Sequence, residues 1–465
     1  MLYLPVDKNS KIPLIRQVYE YLRIHILSGE LAPGLRLPAS RQLASSLSVS
    51  RNVITEAYEQ LAAEGYLESR LGAGTFVAVG LEYQGMAGLR TDLTPALSSA
   101  ADNTDDLIDF RTGVPALELI PRRRIGQLYQ QICTLASLTA LDYSCPEGQP
   151  ELRQALAAYL LRSRGVYCHP EQILITTGAA QALYLIARTL IPSRDEVIIE
   201  DPAHVHFQAT LHSCGARLRP VPVDDCGLIT ELIPEDVFPG FIFVTPSHQF
   251  PLGGTLTIPR RIELIQLARQ RNCYLVEDDY ESEYRFEGTA VSSLQGLDPE
   301  RVIYIGTFSK ILSPAFRVGY LVLPPDLVER VRRLKYLVDN HSPVPDQLVL
   351  AAFIEQGQLE RHVARMKKVY RQRQTVLIEG LNRYLSEQCR ISGNSTGLHL
   401  IGEFDGVEFN QDLLSRLEAG GVRVYPVEQH AMEKGRHLSK VILGYGNLSA
   451  ERIAEGTRRL GAILN

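Results

Sequence analysis

The chain lacks any apolar run near the roughly 20 residues that a membrane helix needs. Its first residues, Met1-Leu2-Tyr3-Leu4-Pro5, lack the basic region and apolar core of a secretory signal. Seven cysteines, an odd number, lie scattered without a C-x-x-C pair. That argues against a disulfide framework or a zinc site and fits reduced thiols in a cytoplasm. An excess of positive charge is also missing. The net charge is -5, which by itself argues against a nucleic-acid partner. The distribution of charge weakens that objection: residues 1–79 carry eight Lys/Arg and seven Asp/Glu, hence +1, leaving -6 for the rest. A near-neutral module can still bind DNA if its arginines share one face.

What is present is an ordinary globular composition, 45% hydrophobic and 22% charged, over 465 residues. That length suggests about two to four domains.

The first eighty residues read as one small module. Leu14, Val18, Tyr21, Leu22 and Ile26 recur at helical spacing within Pro13 to Leu27, and Gly29 ends that helix. Ser40 or Ala39 opens a second, short helix. Ser48-Val49-Ser50 is a tight turn, and Ser50 can cap a third helix from Arg51 to about Glu64. There Val53, Ala57, Leu61 and Ala62 are expected inside, with Arg51, Asn52, Thr55 and Glu56 outside. Gly65 to Ser69 and Leu71 to Val77 read as two short strands around a glycine tip.

A helix, a helix–turn–helix and a hairpin wing form a DNA-reading arrangement, although three-helix modules also serve protein interactions. The residues themselves go further. Leu37-Pro38-x-x-Arg41-x-Leu43-Ala44, Val49-Ser50-Arg51-Asn52 with Ala57-Tyr58, and Gly72-x-Gly74-Thr75-Phe76-Val77 resemble the GntR family of winged-helix regulators. The resemblance implies that Arg41 and Arg51 contact phosphates or base edges of an operator in double-stranded DNA. It places Ser50, Asn52 and Thr55 at the groove, and Gly72 and Gly74 where the wing nears the DNA backbone. From Val79 the periodicity stops. Glycines, a Ser/Ala-rich run and the acids between Asp102 and Asp106 mark residues 80–107 as a flexible linker.

From residue 108 to 465, strand-like apolar runs alternate with helical stretches. The runs are Ile173–Thr176, Glu196–Glu200, Gly240–Val244, Tyr274–Glu277, Arg301–Ile305 and Tyr320–Leu323. This is α/β order, with a mainly parallel sheet whose functional groups sit in the loops after the strands. Lys310 follows one of those strands in Ile305-Gly306-Thr307-Phe308-Ser309-Lys310, with Arg317 seven residues on. An amine, two hydroxyls and a guanidinium suit a phosphorylated aldehyde, with the lysine forming an imine as it does with pyridoxal 5'-phosphate. A lone Ser-Lys pair would be an ordinary surface feature, but three other strand ends accompany it. Thr177-Gly178-Ala179-Ala180 opens a helix whose free amides can cradle phosphate. Glu277-Asp278-Asp279-Tyr280 offers a carboxylate for a pyridinium nitrogen, or merely a solvated acidic loop. Thr245-Pro246-Ser247-His248-Gln249-Phe250-Pro251 is a rigid Pro/Gly loop.

Together these motifs resemble fold-type I aminotransferases. The Ser-His-Gln-Phe-Pro and Glu-Asp-Asp-Tyr forms behind a winged helix are similar to MocR-type regulators, a GntR subfamily. The resemblance implies a large domain and a smaller α+β domain, the latter built from Leu327–Val338, Leu348–Arg383 and the stretch after Gly393. It implies that Lys310 holds pyridoxal 5'-phosphate, that Asp278 meets the ring nitrogen and that Tyr280 meets the ring hydroxyl. Ala179, Ala180, Thr307, Ser309 and Arg317 would take the phosphate. His204, or else Phe207, would stack on the ring. Tyr143 matches a tyrosine that reaches the phosphate of a neighbouring subunit, which implies a homodimer with shared sites.

The chain departs from that pattern at two telling positions. Phe250 stands where aminotransferases have an asparagine, and Ile442 stands near where they place a carboxylate-binding arginine. A bidentate guanidinium clamp is hard to replace, and Lys440 or Arg423 could substitute only by another path. The expectation is therefore a regulator sensing an amino compound, or pyridoxal phosphate itself, rather than an efficient enzyme. The competing possibilities are a working aminotransferase with an appended DNA-binding module, and a cofactor reservoir.

Overall fold

A computed structural model of the chain describes residues 6–8, 10, 12–70, 72–80, 106–288, 291–385 and 388–465. The chain divides into two compact units, Met1–Asn103 and Thr104–Asn465. Most of the expected linker falls outside the described residues. Among the described residues no helix is long and apolar enough to cross a membrane.

The N-terminal unit has helices Leu14–Leu27, Ser40–Leu47 and Arg51–Ala63, followed by an antiparallel hairpin of Leu67–Arg70 with Gly74–Val77. Its core joins Val18, Leu22 and Ile26 to Leu43, Ile54, Leu61 and Val77. Each such side chain contributes about 1.5–3 kcal/mol on burial. In the third helix Ile54 and Tyr58 are buried beside Ala57 and Leu61, whereas Val53 and Ala62, expected inside, are only half-buried. The Tyr58 hydroxyl explains part of this rotation, since it donates to the Pro38 carbonyl at 3.0 Å. The turn before this helix has Ser48 at φ 51°, and Ser50 takes the N-cap position without a side-chain capping bond.

The C-terminal unit is built on an eight-stranded sheet. Its order is Ile173–Thr176, Gly319–Val322, Val302–Thr307, Tyr274–Asp279, Phe241–Val244, Glu196–Asp201, Arg217–Asp224 and Gly227–Leu228. The central pairings are parallel, while Gly319–Val322 runs antiparallel to both neighbours. The continuous apolar strands reflect burial on both faces. Val197 and Ile199 join the helices Ala179–Leu190 and Pro325–Asp339 on one side, and Ile198 joins Ile258–Arg271 on the other. Arg217–Asp224 was not evident from the sequence because arginines and prolines interrupt its apolar pattern.

A second, antiparallel sheet of Cys389–Ser392, His399–Phe404, Lys440–Gly444 and Tyr425–Pro426 forms the smaller part. It packs in one core with helices Gln358–Leu385 and Ala450–Leu464. The helical stretch expected from Leu348 to Arg383 is two helices, Val344–Glu355 and Gln358–Leu385, parted at Gly357 (φ 66°). The first of them, like Pro325–Asp339, packs against the large sheet and not in the smaller part as expected.

Candidate functional site

The carboxyl ends of the parallel strands converge on one cavity of about 270 Å³. Strand alternation selects what enters it. Along Tyr274–Asp279 successive side chains face opposite ways, so Asp278 lines the cavity while Glu277 and Asp279 turn from it. None of the three is a solvated loop acid. Glu277 accepts from the Leu294 and Gln295 amides at 2.9 and 2.8 Å. Asp279 accepts through Oδ2 from Arg164 and from the Tyr304 hydroxyl, each at 2.7 Å. Asp278 has no such anchor on the cavity side: its Oδ1 is buried with no hydrogen-bond partner. Burial, with the Asp279 charge adding, pushes its carboxyl up to about 8.

Lys310 enters from the loop after Val302–Thr307, and its Nζ donates to the Gly113 carbonyl at 2.9 Å. Burial pulls its ammonium below the usual lysine range, with the Arg317 charge adding and Glu281 and Asp278 opposing. A shift in that direction favours the neutral amine that a lysine nucleophile uses. Gly113, at φ 73°, leaves the room it needs, because a Cβ there would lie 2.6 Å from Nζ.

The adjoining end is formed by Gly178, Ala179 and Ala180 with Thr307, Ser309 and Arg317. Gly178 sits at φ 106° as the N-cap of Ala179–Leu190, a conformation suited to glycine. The amides of Ala179 and Ala180 are first-turn donors without a preceding helical acceptor. The Arg317 guanidinium approaches Gly178, its Nη2 3.2 Å from where a Cβ would stand. Among the described residues no acceptor takes a bond from that guanidinium. Tyr280 donates to the His248 carbonyl at 3.0 Å. His204 and Phe207 also line the cavity, their rings 5.3 Å apart.

Nine of the expected residues therefore share one cavity: Lys310, Asp278, Tyr280, Ala179, Ala180, Thr307, Ser309, Arg317 and His204. Tyr143 does not line it and stands 83% exposed. Phe250 is buried in a cluster with Ile401, Val427 and Ile442. Ile442 is thus a packing residue of the smaller sheet. Neither Arg423, paired with Glu418 at 2.8 Å, nor Lys440, facing Glu403 at 3.9 Å, lines the cavity.

Several lining residues were not singled out from the sequence. Glu200 lies near the end of the strand Glu196–Asp201 and accepts from the Thr245 hydroxyl at 2.5 Å. Glu281 accepts from His248 and His399 at 2.8 and 3.2 Å. Glu281 and His248 adjoin or belong to the strand-end motifs, but His399 is more than a hundred residues away and carried no signal.

In the N-terminal unit Arg41, Ser50, Arg51, Asn52, Gly72 and Gly74 are exposed, and Thr55 is half-buried. Arg51 Nε reaches the Ser40 hydroxyl at 3.4 Å, and Thr55 bonds back to the Arg51 carbonyl at 3.0 Å. Arg36, not singled out from sequence, is exposed beside the wing, its Nε 3.0 Å from where a Gly74 Cβ would stand.

A donor–acceptor cavity at the strand ends of a mainly parallel sheet, with a lysine and an orphaned carboxylate oxygen, defines an aminotransferase-like module; the three helices and wing define a DNA-binding-type module. Residues 105–436 match the family model for aminotransferase class I and II, and residues 14–77 match that for bacterial regulatory proteins of the gntR family. A probable rhizopine catabolism regulatory protein, MocR, of Rhizobium meliloti is 36% identical, covering 98% of this chain and 95% of that one. The pyridoxine biosynthesis transcriptional regulator PdxR of Corynebacterium glutamicum is 31% identical over 86% of this chain and 85% of its own. Among solved structures, the α-aminoadipate aminotransferase LysN of Thermus thermophilus, complexed with N-(5'-phosphopyridoxyl)-L-leucine, superposes with a TM-score of 0.71. It is 30% identical and covers 77% of this chain and 92% of its own. The chain belongs to the MocR-type subfamily of GntR-family transcriptional regulators.

Proposed function

We propose that the chain is a DNA-binding regulator whose aminotransferase-like unit holds pyridoxal 5'-phosphate at Lys310 and senses an amino compound there. The observation that carries this reading is the orphaned Asp278 Oδ1 sharing a cavity with Lys310. A buried carboxylate oxygen without a donor calls for one, and a protonated pyridine nitrogen is such a donor. The first amides of Ala179–Leu190, the Thr307 and Ser309 hydroxyls and the Arg317 guanidinium suit the phosphate group. When bound, the cofactor supplies a carbonyl that condenses with primary amines and a ring that withdraws electrons.

This chain's residues then have definite tasks. Asp278 would hold a proton at the ring nitrogen, Lys310 would supply the amine that holds the group, and Tyr280, anchored on the His248 carbonyl, would orient the ring. His204 would cover the ring, with Phe207 beside it. An amine ligand that left Lys310 free and bound one state of the unit more tightly would shift the unit toward that state. A full reversal from 1:99 to 99:1 needs a preference of about 5.5 kcal/mol. The apolar packing of Phe250 and Ile442 supports sensing over turnover, since it leaves no guanidinium at that place. In the N-terminal unit Arg41 and Arg51 would meet the duplex, with Ser50, Asn52 and Thr55 at the groove and Gly72 and Gly74 in the wing. The exposed Tyr143 suits a homodimer with shared sites, and two such units would read paired half-sites in the cytoplasm.

Borohydride reduction of the cofactor-loaded chain followed by peptide mass analysis tests the cofactor reading. A phosphopyridoxyl adduct is expected on Lys310 and none in Lys310→Ala. An adduct elsewhere, or none, would sink the assignment.

A further inference from the structure

The cavity has two chemically different walls. Its cationic side chains are Lys310 and Arg317, and both belong to the end nearest Gly178 and Gly113. The other wall carries His204, His206, Phe207, Phe250 and Glu200. Arg111, two residues before Gly113, is exposed and does not line the cavity.

Hydrogen bonding fixes what the histidines offer. His204 Nδ1 accepts from the His206 amide at 3.2 Å, so its hydrogen sits on Nε2. His430, which does not itself line the cavity, repeats the arrangement, its Nδ1 accepting from the Val205 amide at 3.3 Å. The two rings lie 5.6 Å apart, and each lies 5.0 Å from Phe250. Burial lowers both to about 4, so they are neutral N–H donors near pH 7. Their neighbours reinforce the point. Glu281 is held ionised by His248 and His399, against its own burial. Both ring nitrogens of His399 are engaged, with Glu281 at 3.2 Å and the Pro251 carbonyl at 3.0 Å. Among the described residues, this wall therefore offers an arriving carboxylate no unpaired cation of its own.

A neutral donor beside an aromatic ring suits a different ligand. A hydroxyl accepts from an imidazole N–H, and Glu200 on the same wall can accept its proton in turn. The Phe250 ring offers an apolar surface to the ligand's C–H face. We infer that the sensed compound is a primary amine with a neutral, hydroxyl-bearing body and no carboxylate. This rests on the cofactor reading above.

The test uses the full-length chain loaded with pyridoxal phosphate and three small amines. Serinol (2-amino-1,3-propanediol) and L-serine share a skeleton, one bearing a second hydroxymethyl where the other bears a carboxylate; isopropylamine lacks both. The change in cofactor absorbance is titrated, and each value is divided by that amine's reaction with free pyridoxal phosphate. Serinol is expected to half-saturate at least tenfold below L-serine and at least threefold below isopropylamine. His204→Phe, which keeps a ring at that place, should remove the advantage over isopropylamine, and His204→Gln, which keeps an N–H donor, should restore much of it. L-serine equal to or tighter than serinol overturns the inference, as does isopropylamine matching serinol. An unchanged preference in His204→Phe overturns the assigned wall. A loaded chain that responds to none of the amines also overturns it, while leaving the cofactor reading intact. A chain that retains no pyridoxal phosphate defeats both.

Discussion

Asp278 and Asp279 are consecutive in one strand, yet one carboxylate is tied into the framework and the other is aimed at the cavity. Asp279 is held through Oδ2 by Arg164 and Tyr304 at 2.7 Å, although its Oδ1 also takes no bond. Asp278 faces the cavity with an unpartnered oxygen. The strand's period of two achieves this, dividing adjacent acids between the framework and the site. The framework acid fixes the strand, and the strand aims the other acid.

The Arg164–Asp279 pair should therefore be structural. Arg164 also donates to the Ser247 hydroxyl at 2.7 Å and the Val291 carbonyl at 2.6 Å, so it ties three segments together. Arg164→Leu leaves Asp279 buried without its cation, at a cost of about 3–5 kcal/mol. Urea denaturation measures this. A loss below about 1 kcal/mol would show that the pair contributes little.

Asp278 gives a pH-dependent prediction in the cofactor-free protein. Its carboxyl is pushed up to about 8, whereas an unfolded aspartate titrates near ~4. The folded chain thus keeps a proton that the unfolded chain releases between those values. Its contribution to stability is fully present below the unfolded value and is lost as pH rises through the folded one. Asp278→Asn carries no such loss. From pH 5 to 8 the variant should gain on the natural chain by up to about 4 kcal/mol, at roughly 1.4 kcal/mol per pH unit. Denaturation at the two pH values checks this, and a pH-independent difference would refute it.

Much of the site was legible because strand ends advertise themselves. Lys310, Asp278 and Gly178 each follow an apolar run, and their spacing suffices to group them. The sequence could not show which of three adjacent acids faces the cavity, because register is set by pairing with Val302–Thr307 and Phe241–Val244. Nor could it reveal Gly113 or His399, which reach the site through long-range packing. In the N-terminal unit, periodicity located the third helix but misjudged its inner face. Ile54 and Tyr58 are buried, and only the tertiary contact of Tyr58 with Pro38 shows why.

Gly113 supplies a steric prediction. It sits at φ 73°, and a Cβ would lie 2.6 Å from Lys310 Nζ. Gly113→Ala should displace the lysine and lower pyridoxal phosphate retention at least tenfold, with little change in far-ultraviolet circular dichroism. Dialysis against cofactor-free buffer, followed by absorbance, measures retention. Unchanged retention would mean that Lys310 does not use this space.

Arg51 tests the DNA reading without touching the cavity. It opens the helix Arg51–Ala63 and is exposed, and its Nε lies 3.4 Å from the Ser40 hydroxyl. If it meets a phosphate, Arg51→Ala weakens binding across sequences and lowers the magnitude of the salt slope by about one. If it reads a base edge, the loss is about 1–3 kcal/mol and is confined to the cognate site. Gel shifts with the upstream region of the chain's own gene, at several salt concentrations and beside a scrambled duplex, separate the two. The pyridoxal phosphate content should be unchanged in either case. Wild-type affinity in the variant would remove Arg51 from the interface.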